Sequence, residues 1–79
     1  MYQVKNNREL AKHFIAKVDG STVVIVDLEA AAGFLRKYGS DGLHWQTTGN
    51  AIERADADPK MISHATDSFE NALRTERML

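Results

Sequence analysis

The sequence contains no cysteine, and this absence excludes both a disulfide framework and a zinc site built on thiolates. It also contains no apolar run close to the roughly 20 residues that a membrane span requires. The first residues lack the apolar centre of a secretion signal. We therefore expect a cytoplasmic protein with no membrane segment.

Positive and negative charges nearly balance: the sequence has 10 lysines and arginines and 11 aspartates and glutamates, for a net charge of −1. A broad electrostatic grip on nucleic acid needs an excess of basic residues, and an acidic mimic of DNA needs the reverse. With 43% hydrophobic and 27% charged residues, the composition is typical of a globular protein. We expect one domain over residues 1–79, too small to enclose a large substrate cavity.

No group of residues has the pattern of a catalytic or metal site. None of the histidines, at positions 13, 44 and 64, has a convincing second metal ligand at helical spacing. Asp56 and Asp58 resemble a carboxylate pair for a hard cation, but Asp58 is placed to cap a helix and Asp56 is expected to be a solvated loop charge. We therefore expect no enzymatic activity, no metal and no cofactor.

The strongest structural signal is the run of β-branched apolar residues over 22–27, which favours a strand. Because the run shows no polar alternation, we expect both of its faces to be covered. Another short strand is predicted near residues 2–4. The two strands are expected to pair in parallel through a right-handed crossover.

Three helices are predicted, over residues 7–18, 28–38 and 59–77. The first is indicated by apolar residues at helical spacing after a capping box, with Gly20 at its end. The second follows Asp27 as its cap, and the unexplained Gly33 within it suggests a close backbone approach. The third begins at Asp58-Pro59, a cap followed by a proline in the first turn.

The segment from Ser40 to Asp58 admits two interpretations. Alternating residues over 43–48, the Gly49-Asn50 pair and residues 51–55 predict a hairpin. However, Asn50 and Glu53 also fit a capping box, which would make the following residues helical. We favour the hairpin, so the predicted fold class is α+β: a small sheet packed against three helices.

The predicted hairpin suggests a binding surface around the only tryptophan. Trp45 would lie almost opposite Arg54 with His44 beside it, where a cation–π contact is possible. Tryptophan is enriched in binding hot spots, although in so small a protein it is more often part of the core. Our leading hypothesis is a small non-catalytic regulatory or inhibitory protein that binds a protein partner, and the free edge of a short sheet also favours a homo-oligomer. The size of the chain is typical of accessory proteins of phages and plasmids.

The alternative is a small nucleic-acid-binding regulator. A helix, the turn at residues 39–42 and a further segment resemble a helix-turn-helix with a wing. The basic residues available for phosphate contacts would be Arg36, Lys37, Arg54 and Lys60. However, the recognition segment over 43–49 contains no arginine or lysine, and phosphate contacts supply much of the affinity in such complexes.

Overall fold

A computed structural model describes residues 4–39 and 42–79. The chain begins with strand β1 (Glu9–Val18) and strand β2 (Ser21–Asp27), followed by helix α1 (Leu28–Tyr38) and helix α2 (Leu43–Ala57). A 3-10 turn at Pro59–Met61 leads into the last helix, α3 (Ile62–Thr75). The predicted α+β class is confirmed, but the first predicted helix is a strand and the predicted hairpin is a helix.

The strands form an antiparallel hairpin. Asp19 and Gly20 connect them with φ angles of 50° and 81°, the conformation of a two-residue turn whose twist matches that of paired strands. Val18 therefore faces Ser21, and Phe14 faces Ile25 further along the ladder. The register shifts between Glu9 and Phe14, so this part of β1 bulges.

The helix predicted over 7–18 is wrong, since these residues contain β1. Leu10, Phe14 and Val18 satisfy a helical period, but they satisfy the period of two in a strand equally well. Ile15, which the predicted helix would have buried, is exposed on the strand. The Asp19-Gly20 pair is a hairpin turn and not the end of a helix.

The strand at 22–27 is confirmed as β2, but its predicted surroundings are wrong. It pairs with β1 in the antiparallel sense, not with residues 2–4 in parallel. Its outer face is open, because Val24 is strongly exposed. Residues 2 and 3 lie outside the described part of the chain, and Val4 is not in a strand.

Two predicted helices are confirmed. In α1, the Asp27 carboxylate accepts a hydrogen bond from the Ala30 amide at 2.8 Å, as its position as cap predicts. The region 59–77 forms the 3-10 turn and α3. The close approach expected at Gly33 is not found within the described part of the chain, where an added Cβ would meet the flexible end of Arg36 at 3.7 Å.

The hairpin predicted over 43–48 and 51–55 is wrong, because these residues form the continuous helix α2. Its buried residues recur at helical spacing on the side that faces the other helices, and they include Trp45, Thr48, Ile52 and Ala55. The Thr48 hydroxyl contacts the carbonyl oxygens of His44 at 2.8 Å and Ser68 at 3.1 Å, which ties α2 to α3. Tertiary packing therefore overrides the local turn signal of Gly49-Asn50.

The core lies between the inner face of the hairpin and the three helices. Phe69 of α3 is at its centre, with its ring centroid 5.7 Å from those of both Phe14 and Phe34. Trp45 joins this cluster through Phe34, at 6.2 Å. Because the helices cover only the inner face, the outer face of the hairpin is left open.

Candidate protein-binding surface

The outer face of the hairpin carries an exposed apolar pair. Ile15 and Val24 face each other across the two strands and are 61% and 60% exposed. Directly opposite residues are the closest side-chain neighbours in an antiparallel ladder, so the two side chains form one continuous apolar surface. We call this pair, with the half-buried Val26 beside it, the hairpin face.

The outer edge of β1 is partly covered by the rest of the chain. The Lys17 amide donates to the Met78 carbonyl oxygen at 2.7 Å. The Ala11 amide donates to the Thr66 hydroxyl at 3.0 Å. Backbone groups that would otherwise be free to pair with another strand are thus satisfied internally.

The outer edge of β2 has no such cover within the described ranges. In a two-residue hairpin the pair that flanks the turn is hydrogen-bonded, so Ser21, Val23 and Ile25 direct their backbone groups at β1. The alternate residues Thr22, Val24 and Val26 direct theirs away from it. Over residues 4–39 and 42–79, none of these three forms a hydrogen bond outside the strand ladder. We call these outward groups the β2 edge.

The charged residues of the hairpin lie on β1, in the turn and at the last position of β2, Asp27. Residues 21–26 contain no charged side chain. On β1, the His13 Nε2 atom lies 2.6 Å from a Glu9 carboxylate oxygen, and the Lys12 ammonium lies 3.2 Å from the Glu70 carboxylate of α3. The β2 edge therefore has neither the lysines nor the proline with which exposed edges are commonly blocked.

The predicted surface around Trp45 is not formed in the expected way. Trp45 is 1% exposed and donates through Nε1 to a Glu76 carboxylate oxygen at 3.2 Å. Arg54 is exposed in the last turn of the same helix. A separation of nine residues places the two side chains on roughly opposite sides of a helix, so the cation–π contact expected from a hairpin is lost.

His44 is half-buried and lies near the same Glu76 carboxylate. Its buried Nε2 atom has no hydrogen-bond partner among residues 4–39 and 42–79 and lies 3.7 Å from the Glu76 carboxylate. The ring packs against Trp45 with the two centroids 5.2 Å apart. Glu76 therefore joins the end of α3 to the first turn of α2.

A shallow groove runs between α2 and α3. It has a volume of about 290 Å³, and its lining includes His44, Thr48, Ser68 and Ala72. Leu43 stands at its rim and is 78% exposed. The lining combines apolar, hydroxyl and amide groups, and among the described residues that line the groove His44 alone is ionisable.

The four basic residues of the nucleic-acid hypothesis fall into two pairs. Arg36 and Lys37 lie in the last turn of α1, which precedes the start of α2. Arg54 and Lys60 lie at and just beyond the other end of α2. Residues 43 and 54 are about 16 Å apart along a helix axis, so the two pairs do not form one compact basic patch.

Asp56 has a structural role that its position did not predict. It is only 8% exposed, so its expected place as a solvated loop charge is wrong. Its carboxylate accepts hydrogen bonds from the amides of Lys5 at 3.0 Å and Asn6 at 2.6 Å. These bonds and the nearby Arg8 charge hold the pKa of Asp56 below its ordinary value.

The remaining candidate metal ligands, Asp58 and His64, do not form a site within the described ranges. Asp58 caps the 3-10 turn by accepting a hydrogen bond from the Lys60 amide at 3.0 Å. His64 is exposed on α3. Within the described ranges, no three histidine, aspartate or glutamate side chains gather as they would around a metal ion.

None of the helices in the described chain has the length and apolar character needed to cross a membrane. Compared with protein-family models, curated proteins and solved structures, the chain matches none of them.

Proposed function

We propose that this chain is a small non-catalytic regulatory or inhibitory protein that acts by binding another protein through the hairpin face. The observation that carries the proposal is the exposure of Ile15 and Val24 as adjacent apolar neighbours. Exposed apolar surface that is continuous across two strands favours contact with another apolar surface. The open β2 edge beside it supplies directional backbone groups for the same contact.

The partner that fits this surface is a protein segment in extended conformation with apolar side chains. Such a segment would add a strand to the β2 edge and place its side chains beside Val24. The role suggested by size alone, an accessory protein of a phage or plasmid acting in the cytoplasm, is compatible with this mode of binding.

The test compares capture by three immobilised proteins from a nuclease-treated lysate of the native host. These are the parent chain, Ile15→Lys, and Ser63→Lys as a control on an exposed position of α3. We expect Ile15→Lys to lose a protein that the parent and the control both retain, because a lysine in the apolar contact must be desolvated. Equal retention by all three folded proteins would refute the proposal.

A second candidate function is the nucleic-acid-binding regulator, and one observation favours it. Residues 43–57 form a helix directly after α1 and a short connection, which is the order that a helix-turn-helix requires. Gln46, Thr47 and Asn50 are exposed on that helix, and such side chains can hydrogen-bond to base edges.

This second function predicts a gel shift with duplex DNA that weakens steeply as salt is added. The double variant Arg36→Glu/Lys37→Glu should abolish the shift, whereas Ser63→Glu should reduce it much less. No retention of DNA at low salt would remove this candidate.

A further inference from the structure

The two outer edges of the hairpin differ in how their backbone groups are satisfied. Met78 and Thr66 each accept a hydrogen bond from the outer edge of β1, whereas the outward groups of Thr22, Val24 and Val26 have no partner among the described residues. Strand β2 has seven residues, and residues 21–26 carry no charged side chain. Unpaired backbone groups on such a strand can pair with another strand.

The β2 edge matches a second copy of itself in both hydrogen-bond phase and chemistry. In an antiparallel pairing centred on Val24, that residue faces Val24 of the second copy, and Thr22 faces Val26. All three positions then exchange hydrogen bonds in pairs, because their N–H and C=O groups point outward together. The facing side chains are all β-branched, which favours cross-strand packing, and no like charges are opposed.

We infer that two copies of this chain associate through their β2 edges, around a two-fold axis at Val24, to form one four-stranded antiparallel sheet. This inference goes beyond the proposed function: in the dimer a second copy, and not an extended segment of the partner protein, occupies the β2 edge, and the partner protein is bound by the hairpin face alone. The symmetry is that of a closed dimer, in which the same patch is used on both subunits. Val24 and Ile15 of both copies then form one apolar stripe across the outer face of the joined sheet.

Analytical ultracentrifugation over a wide range of protein concentration tests the inference. The variants Val24→Lys and Val24→Glu place like charges opposite each other in the dimer, and Val24 is exposed enough for either change to leave the fold intact. We expect each variant alone to weaken association by about two- to fivefold. An equimolar mixture of the two should restore it, because opposite charges then meet across the axis.

Two further variants separate the edge from the face. Val24→Pro removes the central hydrogen-bond donor at an edge position where a folded strand tolerates proline, and it should prevent association while circular dichroism remains that of the parent. Ile15→Lys changes the face and not the edge, so we expect the dimer to persist. If Ile15→Lys abolishes association and the charged mixture restores nothing, the copies stack through their faces and the inference is wrong.

Sedimentation and lysate capture report separately on the dimer and on the proposed function. A parent chain that stays monomeric at every concentration, while Ile15→Lys still loses its captured protein, overturns the dimer and leaves the proposed function standing. A dimer with the predicted dependence on Val24, combined with equal capture by the parent and Ile15→Lys, supports the dimer and refutes the proposed function.

Discussion

The Lys17 amide and the Met78 carbonyl oxygen are joined by a 2.7 Å hydrogen bond that attaches the end of the chain to the outer edge of β1. Met78 also packs partly buried against the core, whereas Leu79 is exposed. A hairpin of two strands is marginally stable by itself. This contact and the packing of α3 therefore support β1 from the side that β2 leaves uncovered.

Removing Met78 and Leu79 together should destabilise the hairpin and open the edge of β1. We expect a lower melting temperature by circular dichroism and a new tendency to associate at high concentration, because an exposed edge recruits other strands. Removing Leu79 alone is the control and should change little. Equal melting temperatures for the two truncated chains would show that the Met78 contact does not stabilise β1.

Thr66 links α3 to the bulged part of β1, because its hydroxyl accepts from the Ala11 amide at 3.0 Å and donates to the Ile62 carbonyl oxygen at 2.8 Å. Thr66→Val keeps the shape but leaves the Ala11 amide unpaired. We expect a loss of about 1–3 kcal/mol in the free energy of unfolding, measured by urea denaturation. Thr66→Ser retains the hydroxyl and should lose less. If the serine variant is the less stable of the two, the packing of the methyl group outweighs the hydrogen bond.

Trp45 should behave as a core residue and not as a contact residue. Trp45→Ala is expected to cost about 3–5 kcal/mol, a large share of the stability of a chain this size. Trp45→Phe keeps most of the apolar volume and loses the hydrogen bond to Glu76, so it should remain folded. Circular dichroism and urea denaturation check both variants. A folded, stable Trp45→Ala variant would contradict the burial of this side chain.

The Asp56 carboxylate should make stability depend on pH. Its pKa is lowered in the folded chain, chiefly by hydrogen bonds from the amides of Lys5 and Asn6. The stabilisation is therefore fully present above the ordinary aspartate pKa of about 4, and it is lost as the pH falls through the folded value. We expect Asp56→Asn to be less stable than the parent at neutral pH, with the difference shrinking below about pH 4.

Urea denaturation of both proteins from neutral to acidic pH measures this difference. Asp67→Asn is the matched control, since Asp67 is exposed on α3. A difference between the parent and Asp56→Asn that stays constant down to strongly acidic pH would show that the ionised carboxylate does not anchor the segment that contains Lys5.

Strand β2 could be predicted from the sequence, whereas strand β1 could not. Residues 22–27 indicate a strand by composition alone, because a run of β-branched side chains disfavours a helix. In β1, Leu10, Phe14 and Val18 fit both periods, and the capping box before them favoured the wrong one. The Asp-Gly pair between alternating apolar residues is a strong hairpin signal, and it identifies β1 once it is weighed against that capping box.

The helices show the same contrast between local and tertiary control. In α1 the cap at Asp27 and the alanine-rich sequence agree with the packing, so its bounds were predictable. In α2 the Gly49-Asn50 pair indicates a turn, but both residues lie within a helix whose apolar side is buried against α1 and α3. The candidate surface could not be predicted, because the exposure of Ile15 and Val24 depends on which face of the hairpin the helices cover.

Hydrogen exchange followed by NMR at low and high protein concentration shows, amide by amide, whether the β2 edge of one copy pairs with that of another. We expect the amides of Val23 and Ile25 to be protected at both concentrations, because they bond to β1. The amides of Thr22, Val24 and Val26 should exchange rapidly in dilute solution and become protected as concentration rises. Protection of these three amides that does not change with concentration would show that a second copy does not pair with the β2 edge.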